Sequence, residues 1–160
     1  MTDFEDGIQR IVKEIVDLQV KDIPIVCIQG DCHSGKTELS VRLHKSLNKS
    51  GLFGFSGKIE EIKQYCQEIE NDLTLFADPK FYLIEDLISP ATFISIYRHF
   101  NRLPDVGVRL TRELFCADEI KRDLPYFHEA MKRACSTVKE PAFDLVVYNP
   151  DAKDKKSPYL

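Results

Sequence analysis

The sequence predicts an α/β fold built on a mainly parallel sheet, and two observations carry that prediction. Short apolar runs rich in β-branched residues, such as 23–28 and 81–84, alternate with longer stretches whose apolar residues recur every three or four positions. Strands alternating with amphipathic helices require crossover connections and hence parallel pairing. A glycine-bounded loop, Gly30-Asp31-Cys32-His33-Ser34-Gly35-Lys36-Thr37, also joins an apolar run to a stretch with leucine at 39, 43 and 47. Leucines at that spacing share one helix face.

Taken in order, residues 3–20 read as an amphipathic helix that packs on the sheet. Phe4, Ile8, Ile11, Val12, Ile15 and Val16 form its apolar stripe, with charges opposite; partner binding is the alternative reading. Residues 23–49 supply the first strand, the loop and the next helix, which ends at the turn cluster Asn48-Lys49-Ser50-Gly51. A short strand is expected at 52–55. A helix face follows at Ile59, Ile62, Cys66 and Ile69, with Ser56 as its N-cap. A brief strand is expected at 73–76 and a turn at Asp78-Pro79. The run 81–84 ends in Glu85-Asp86. Ser89-Pro90 then opens a helix carrying Phe93, Ile94, Ile96 and Tyr97, with a hydroxyl at the cap and proline in the first turn. Residues 105–110 form a strand through Val106, Val108 and Leu110. Residues 117–136 are helical and broken or kinked at Pro125, and 143–148 are the last strand. The polar, lysine-rich stretch 150–160 is expected to be loose. Without repeats or a linker, residues 1–160 read as one domain.

Composition narrows the function. A net charge of −4 and a pI of about 5.6 give no reason to expect nucleic acid or an anionic membrane as partner. No apolar run approaches the roughly 20 residues a membrane span needs, and the acidic start Met1-Thr2-Asp3-Phe4-Glu5-Asp6 is not that of a signal peptide. The five cysteines are odd in number and lack C-x-x-C spacing, which points to reduced thiols in a cytoplasmic protein. The histidines show no metal-ligand or triad spacing. No H-E-x-x-H, G-x-S-x-G, G-x-G-x-x-G or N-K-x-D pattern occurs.

The loop at 30–37 fits G-x-x-x-x-G-K-[ST], the Walker A phosphate loop. A triphosphate needs several donors converging on closely spaced oxygens, and backbone amides supply them where no Cβ blocks the approach. Gly30 and Gly35 free the two bends. The helix that follows aims its first amides, through Glu38, and the positive end of its dipole at the anion. Lys36 would reach the β- and γ-phosphates as a point charge, and the Thr37 hydroxyl would join the Mg²⁺ shell. Asp31, Cys32, His33 and Ser34 fill the loop. His33 could donate to phosphate and Asp31 adds a charge that weakens anion binding. Cys32 fills a loop position or, at a helix N-terminus beside lysine, acts as a reactive thiol. An ordinary glycine-bounded turn is the plain alternative.

An apolar strand ending in an acid meets the Walker B requirement, a carboxylate beside the loop at the carboxyl edge of the sheet. Glu85 and Asp86 qualify, although strand ends also carry acids for turn and cap reasons. A basic group, Arg109, Arg112, Lys121, Arg122, Lys132 and Arg133, could supply an arginine lid over a transferring phosphate, with Arg112 and Arg122 the favoured members. A solvated helix face balanced by Glu119, Asp123 and Glu129 is the alternative.

With these residues in hand, the chain resembles the P-loop nucleoside kinases, particularly the uridine kinase and phosphoribulokinase group. The likeness rests on Gly30 to Thr37, on Leu83-Ile84-Glu85-Asp86-Leu87-Ile88, on Val108-Arg109-Leu110-Thr111-Arg112 with Glu119-Ile120-Lys121-Arg122-Asp123, and on Glu140-Pro141-Ala142-Phe143-Asp144-Leu145-Val146-Val147. It implies a three-layer P-loop NTPase fold, with ATP and Mg²⁺ as cofactors and γ-phosphoryl transfer to a small hydroxyl acceptor. It also implies phosphate and metal contacts from Lys36 and Thr37, a strand-end acid at Glu85, and lid arginines at Arg112 and Arg122. The chain departs from that family after the second strand, where an aspartate is expected and Leu52-Phe53-Gly54-Phe55-Ser56 has none. The segment before Glu85 is also short for the family. Asp78 or Asp86 could stand in as base, or phosphoryl transfer has been lost while nucleotide binding remains.

Overall fold

The computed structural model describes residues 2–19, 23–31, 33–71, 79–135 and 143–152. Along the chain these form β1 (Thr2–Asp3), α1 (Phe4–Leu18), β2 (Ile25–Gly30), α2 (Lys36–Lys49), β3 (Phe55–Gly57), α3 (Ile59–Glu70), β4 (Tyr82–Asp86), α4 (Pro90–Phe100), β5 (Val106–Thr111), α5 (Leu114–Ala134) and β6 (Phe143–Tyr148). The six strands make one sheet in the order β1-β6-β5-β2-β4-β3, and every pairing is parallel.

That order dictates the layers. Connections that run one way across the sheet place their helices on one face, and returning connections place theirs on the other, because parallel crossovers are right-handed. Accordingly α1 and α2 pack together: Ile8, Ile11, Ile15, Leu39, Leu43 and Leu47 share a core with Val26, Ile28, Leu83, Val108 and Leu110. On the opposite face Ile59, Ile62, Phe93, Ile96 and Met131, from α3, α4 and α5, meet Ile25, Cys27, Tyr82 and Ile84. The pleat sends alternate residues of β2 and β4 into these two cores. The result is a three-layer α/β molecule.

Local signals end several elements, those at Ser89-Pro90 and Gly51 as expected. Asp3 caps α1 by accepting from the Asp6 amide at 2.8 Å. Ser89 caps α4 by accepting from the Ala91 amide at 3.1 Å, with Pro90 in the first turn. Gly51 takes the left-handed φ of 78° that closes the end of α2. Val16 was expected in the buried stripe of α1, yet it is 42% exposed, because the packed face is narrower than the apolar one.

Three expectations need correction. The short strand lies at Phe55–Gly57, not at 52–55, so Ser56 is a strand residue whose Oγ meets His44 Nε2 at 3.0 Å. The N-cap of α3 is Lys58, whose amide donates to Glu61 Oε1 at 3.1 Å. Helix α5 starts at Leu114 and runs unbroken past Pro125. Proline there removes a single amide donor, and the helix is held by packing of Ala117, Phe127 and Met131. The expected strand at 73–76, Asp78 and residues 153–160 lie outside the described residues.

The face of the sheet under α4 and α5 also carries a buried polar group. Arg109 is 1% exposed; its Nη1 donates to Asp144 Oδ1, and Asp144 Oδ2 faces His128 Nε2. The rings of Phe93 and Phe127 lie 5.0 and 4.2 Å from its guanidinium carbon. Arg109 belongs to the basic group expected either to supply a lid over phosphate or to form a solvated face. The pleat places it in the interior, so for this residue both readings are corrected.

Candidate functional site

The loop between β2 and α2 sits at the carboxyl edge of the sheet. The helix after β2 goes to one face, and the helices after its neighbours β4 and β5 go to the other. In open α/β sheets the crevice at such a reversal is where ligands bind.

Within the loop, Ser34 folds back so that its amide and Oγ donate to the Asp31 carbonyl at 3.3 and 3.0 Å. Gly35 takes a φ of 95°, and Gly30 has no room for a side chain, since a Cβ there would lie 2.2 Å from Ser34 Oγ and 2.7 Å from the Leu110 carbonyl. Both glycines are thus required, one by conformation and one by crowding. Helix α2 begins at Lys36 with no side-chain cap, which leaves its first-turn amides open. The Lys36 ammonium donates to the Gly30 carbonyl at 2.6 Å and to the Asp86 carbonyl at 3.4 Å, so it spans the cleft between the loop and β4. The His33 amide donates to Asp31 Oδ1 at 3.4 Å. His33, Thr37 and Glu38 are exposed. Cys32 lies outside the described residues.

The structure separates the two strand-end acids. Glu85 lies on the α2 side, where its Oε1 accepts from Ser40 Oγ at 2.5 Å, one helical turn beyond Thr37. Asp86 lies on the α4 side, and both its oxygens are engaged: Oδ2 accepts from Thr92 Oγ1 at 2.6 Å, Oδ1 from the Leu87 amide at 2.7 Å. Asp86 therefore shapes the β4–α4 turn, which is the cap role that acids at strand ends often serve. Among the described residues no three His, Cys, Asp or Glu side chains gather as a metal cage. Mg²⁺ bound mainly by water and phosphate oxygens does not ask for one.

A cavity of about 290 Å³ opens beside the loop. Its lining comes from Asp31 of the loop, Leu87 and Ile88 of the β4–α4 connection, the end of β5 at Leu110 and Thr111, and Glu119, Ile120 and Asp123 of α5. Cys116 joins this wall as a thiol held above its ordinary pKa, first by burial and then by its hydrogen bond to Glu113. Of the two expected lid arginines, Arg112 is half-buried just past the Thr111 that edges the cavity, and Arg122 is exposed and outside the lining.

Two supporting residues were missed in the sequence. Asn149 is 5% exposed, and its Nδ2 donates to the Ser34 carbonyl at 3.3 Å while its amide donates to the Thr111 carbonyl at 2.7 Å. It ties the end of β6 to the loop. Gln29 is fully buried, and its Nε2 donates to the Leu87 and Ser89 carbonyls at 3.2 and 2.7 Å, which fixes the cavity wall. The signal for Gln29 was a lone amide at the end of an otherwise apolar central strand.

The chain is a three-layer α/β protein with a glycine-bounded loop at the carboxyl edge of a parallel sheet. No family model, curated protein or solved structure matches this chain at a significant level. Among the described residues no helix is long and apolar enough to cross a membrane.

Proposed function

We propose that this chain has a P-loop NTPase fold, binds ATP with Mg²⁺ at Gly30–Thr37, and acts as a small-molecule kinase on a hydroxyl acceptor. The observation that carries the reading is the uncapped N-terminus of α2 behind a loop that only glycine can form at both ends. The Lys36 ammonium, resting on two backbone carbonyls, is placed to exchange them for phosphate oxygens. Thr37 and, from the same side of the sheet, Glu85 are the groups that would hold the metal shell. Bound ATP·Mg²⁺ would supply the transferable phosphoryl group. The chain's part is positioning and charge compensation, with Arg112 nearest among the expected lid residues. On this reading Asp31, which belongs to both loop and cavity lining, would be the carboxylate that takes the acceptor proton.

The test is thermal stabilisation by ATP, with and without Mg²⁺. At a hundred times its Kd, ATP should add about 2.7 kcal/mol to the wild-type protein and nothing to a folded Lys36→Ala variant. No stabilisation of the wild-type protein sinks the proposal. A second reading, a nucleotide-binding switch without acceptor chemistry, is favoured by one observation: β3 is followed by Lys58, so no acid stands where the uridine kinase pattern wants its base. Binding without product from nucleosides, sugars or vitamin alcohols would select that reading.

A further inference from the structure

Two hydrogen bonds, one helical turn apart, join the start of α2 to the end of β4. The Lys36 ammonium donates to the Asp86 carbonyl at 3.4 Å, and the Ser40 hydroxyl donates to Glu85 Oε1 at 2.5 Å. Thr37 lies on the turn between them. Resting on the nucleotide reading above, we propose that Ser40 is a positioning residue for the metal: its hydroxyl holds the Glu85 carboxylate by one oxygen and leaves the other to the Mg²⁺ shell beside Thr37.

Ser40 is 4% exposed, a buried hydroxyl beside the face that carries Leu39, Leu43 and Leu47. A serine inside a helix ordinarily turns to solvent or bonds back to the carbonyl one turn earlier. Here the hydroxyl reaches across to the strand instead. Helical side chains lean toward the N-terminus of their helix, so Ser40 anchors the carboxylate over the turn that carries Thr37. The contact is of the short, charge-assisted kind that a hydroxyl makes with a carboxylate.

The neighbouring acid shows what this bond decides. Asp86 has both oxygens engaged, by Thr92 and by the Leu87 amide. Glu85 has Oε1 engaged, and Oε2 has no hydrogen-bond partner among the described residues. Of the two, Glu85 keeps an oxygen for a ligand, and Ser40 sets where that oxygen points. A glutamate held this way does not have to be ordered when a metal binds. Partners that orient a metal-binding side chain are worth roughly 10–100-fold in metal affinity. A bond that only fastened α2 to β4 would change stability and leave the metal's effect intact, so the two roles separate by measurement.

The test is calorimetric titration of the full chain with AMPPNP, once in Mg²⁺ and once in EDTA. Ser40→Ala should weaken binding in Mg²⁺ roughly tenfold or more and leave binding in EDTA unchanged. Glu85→Gln, whose side-chain oxygen still accepts from Ser40, should show a loss confined to Mg²⁺ that is at least as large. The double variant should lose no more than Glu85→Gln, because the two residues act as one unit. Melting curves check folding, and Ser40→Cys, a weaker donor of similar size, replaces Ser40→Ala if that variant melts early. An unchanged affinity in Ser40→Ala, an equal loss in Mg²⁺ and EDTA, a wild-type affinity that Mg²⁺ does not raise, or losses that add in the double variant would each overturn the positioning role, while AMPPNP binding by the wild-type protein leaves the nucleotide reading standing. No AMPPNP binding by the wild-type protein overturns that reading, and the role of Ser40 with it.

Discussion

The two faces of β5 obey different rules. Val106, Val108 and Leu110 point into the core beneath α1 and α2, and their neighbours there are apolar. Gly107, Arg109 and Thr111 point the other way, toward α4 and α5. On that side the Arg109 guanidinium is buried with Asp144 and stacked by Phe93 and Phe127. Gly107 is part of the arrangement: a Cβ there would lie 2.8 Å from Asp144 Oδ1 and 2.9 Å from Phe93. The first face is held by volume and responds in proportion to the atoms removed. The second contains a charge that is stable only while its partner is present.

The largest effect should come from breaking that second rule. Asp144→Ala leaves Arg109 charged and buried without its carboxylate, and should cost about 3–5 kcal/mol in urea unfolding. A loss below about 1 kcal/mol would mean the guanidinium finds water or another partner. On the apolar face, Leu43→Ala, at a fully buried α2 position, should cost about 2–5 kcal/mol. Combining the two sharpens the comparison. If the sheet insulates its faces, the losses add to within about 0.5 kcal/mol; a larger coupling would show the faces act as one core.

The smallest expected effect is a pH dependence at the rim of the apolar face. His44, on α2, is half-buried against Phe81, with ring centroids 5.2 Å apart. Burial holds its pKa below the ordinary 6.5, and the Glu85 charge offsets this only in part. The folded protein therefore takes up this proton at lower pH than the unfolded chain. His44's contribution is complete above 6.5, falls as pH drops below 6.5, and levels off once the folded pKa is passed. Urea midpoints measured across that range should decline for wild type and flatten in His44→Gln. An unchanged slope would assign the pH effect to other groups.

Much of this frame was legible because period and punctuation agree in the sequence. β6 was read at 143–148 from its apolar run, and α4 from Ser89-Pro90, since both signals are local. The second strand was misplaced by three residues because Leu52 and Phe53 are as apolar as Phe55. Only pairing with β4 selects the segment that is strand. Of the site, the loop was readable because its chemistry is contiguous. The cavity was not, since Asp31, Leu87 and Glu119 meet only through the crossing order of the strands. Arg109 was misread although a clue was present: an arginine inside a strand with neighbours on both sides must be buried, and Asp144 is the lone acid in β6.

The flanks of the sheet have a further consequence. Among the described residues its outermost members are two and three residues long, β1 on one side and β3 on the other. So short a border offers an incoming chain almost no ladder of free amides and carbonyls to zip onto. Copies of this protein crowded together should resist fibre-like lateral growth, without needing charges along either margin for that purpose.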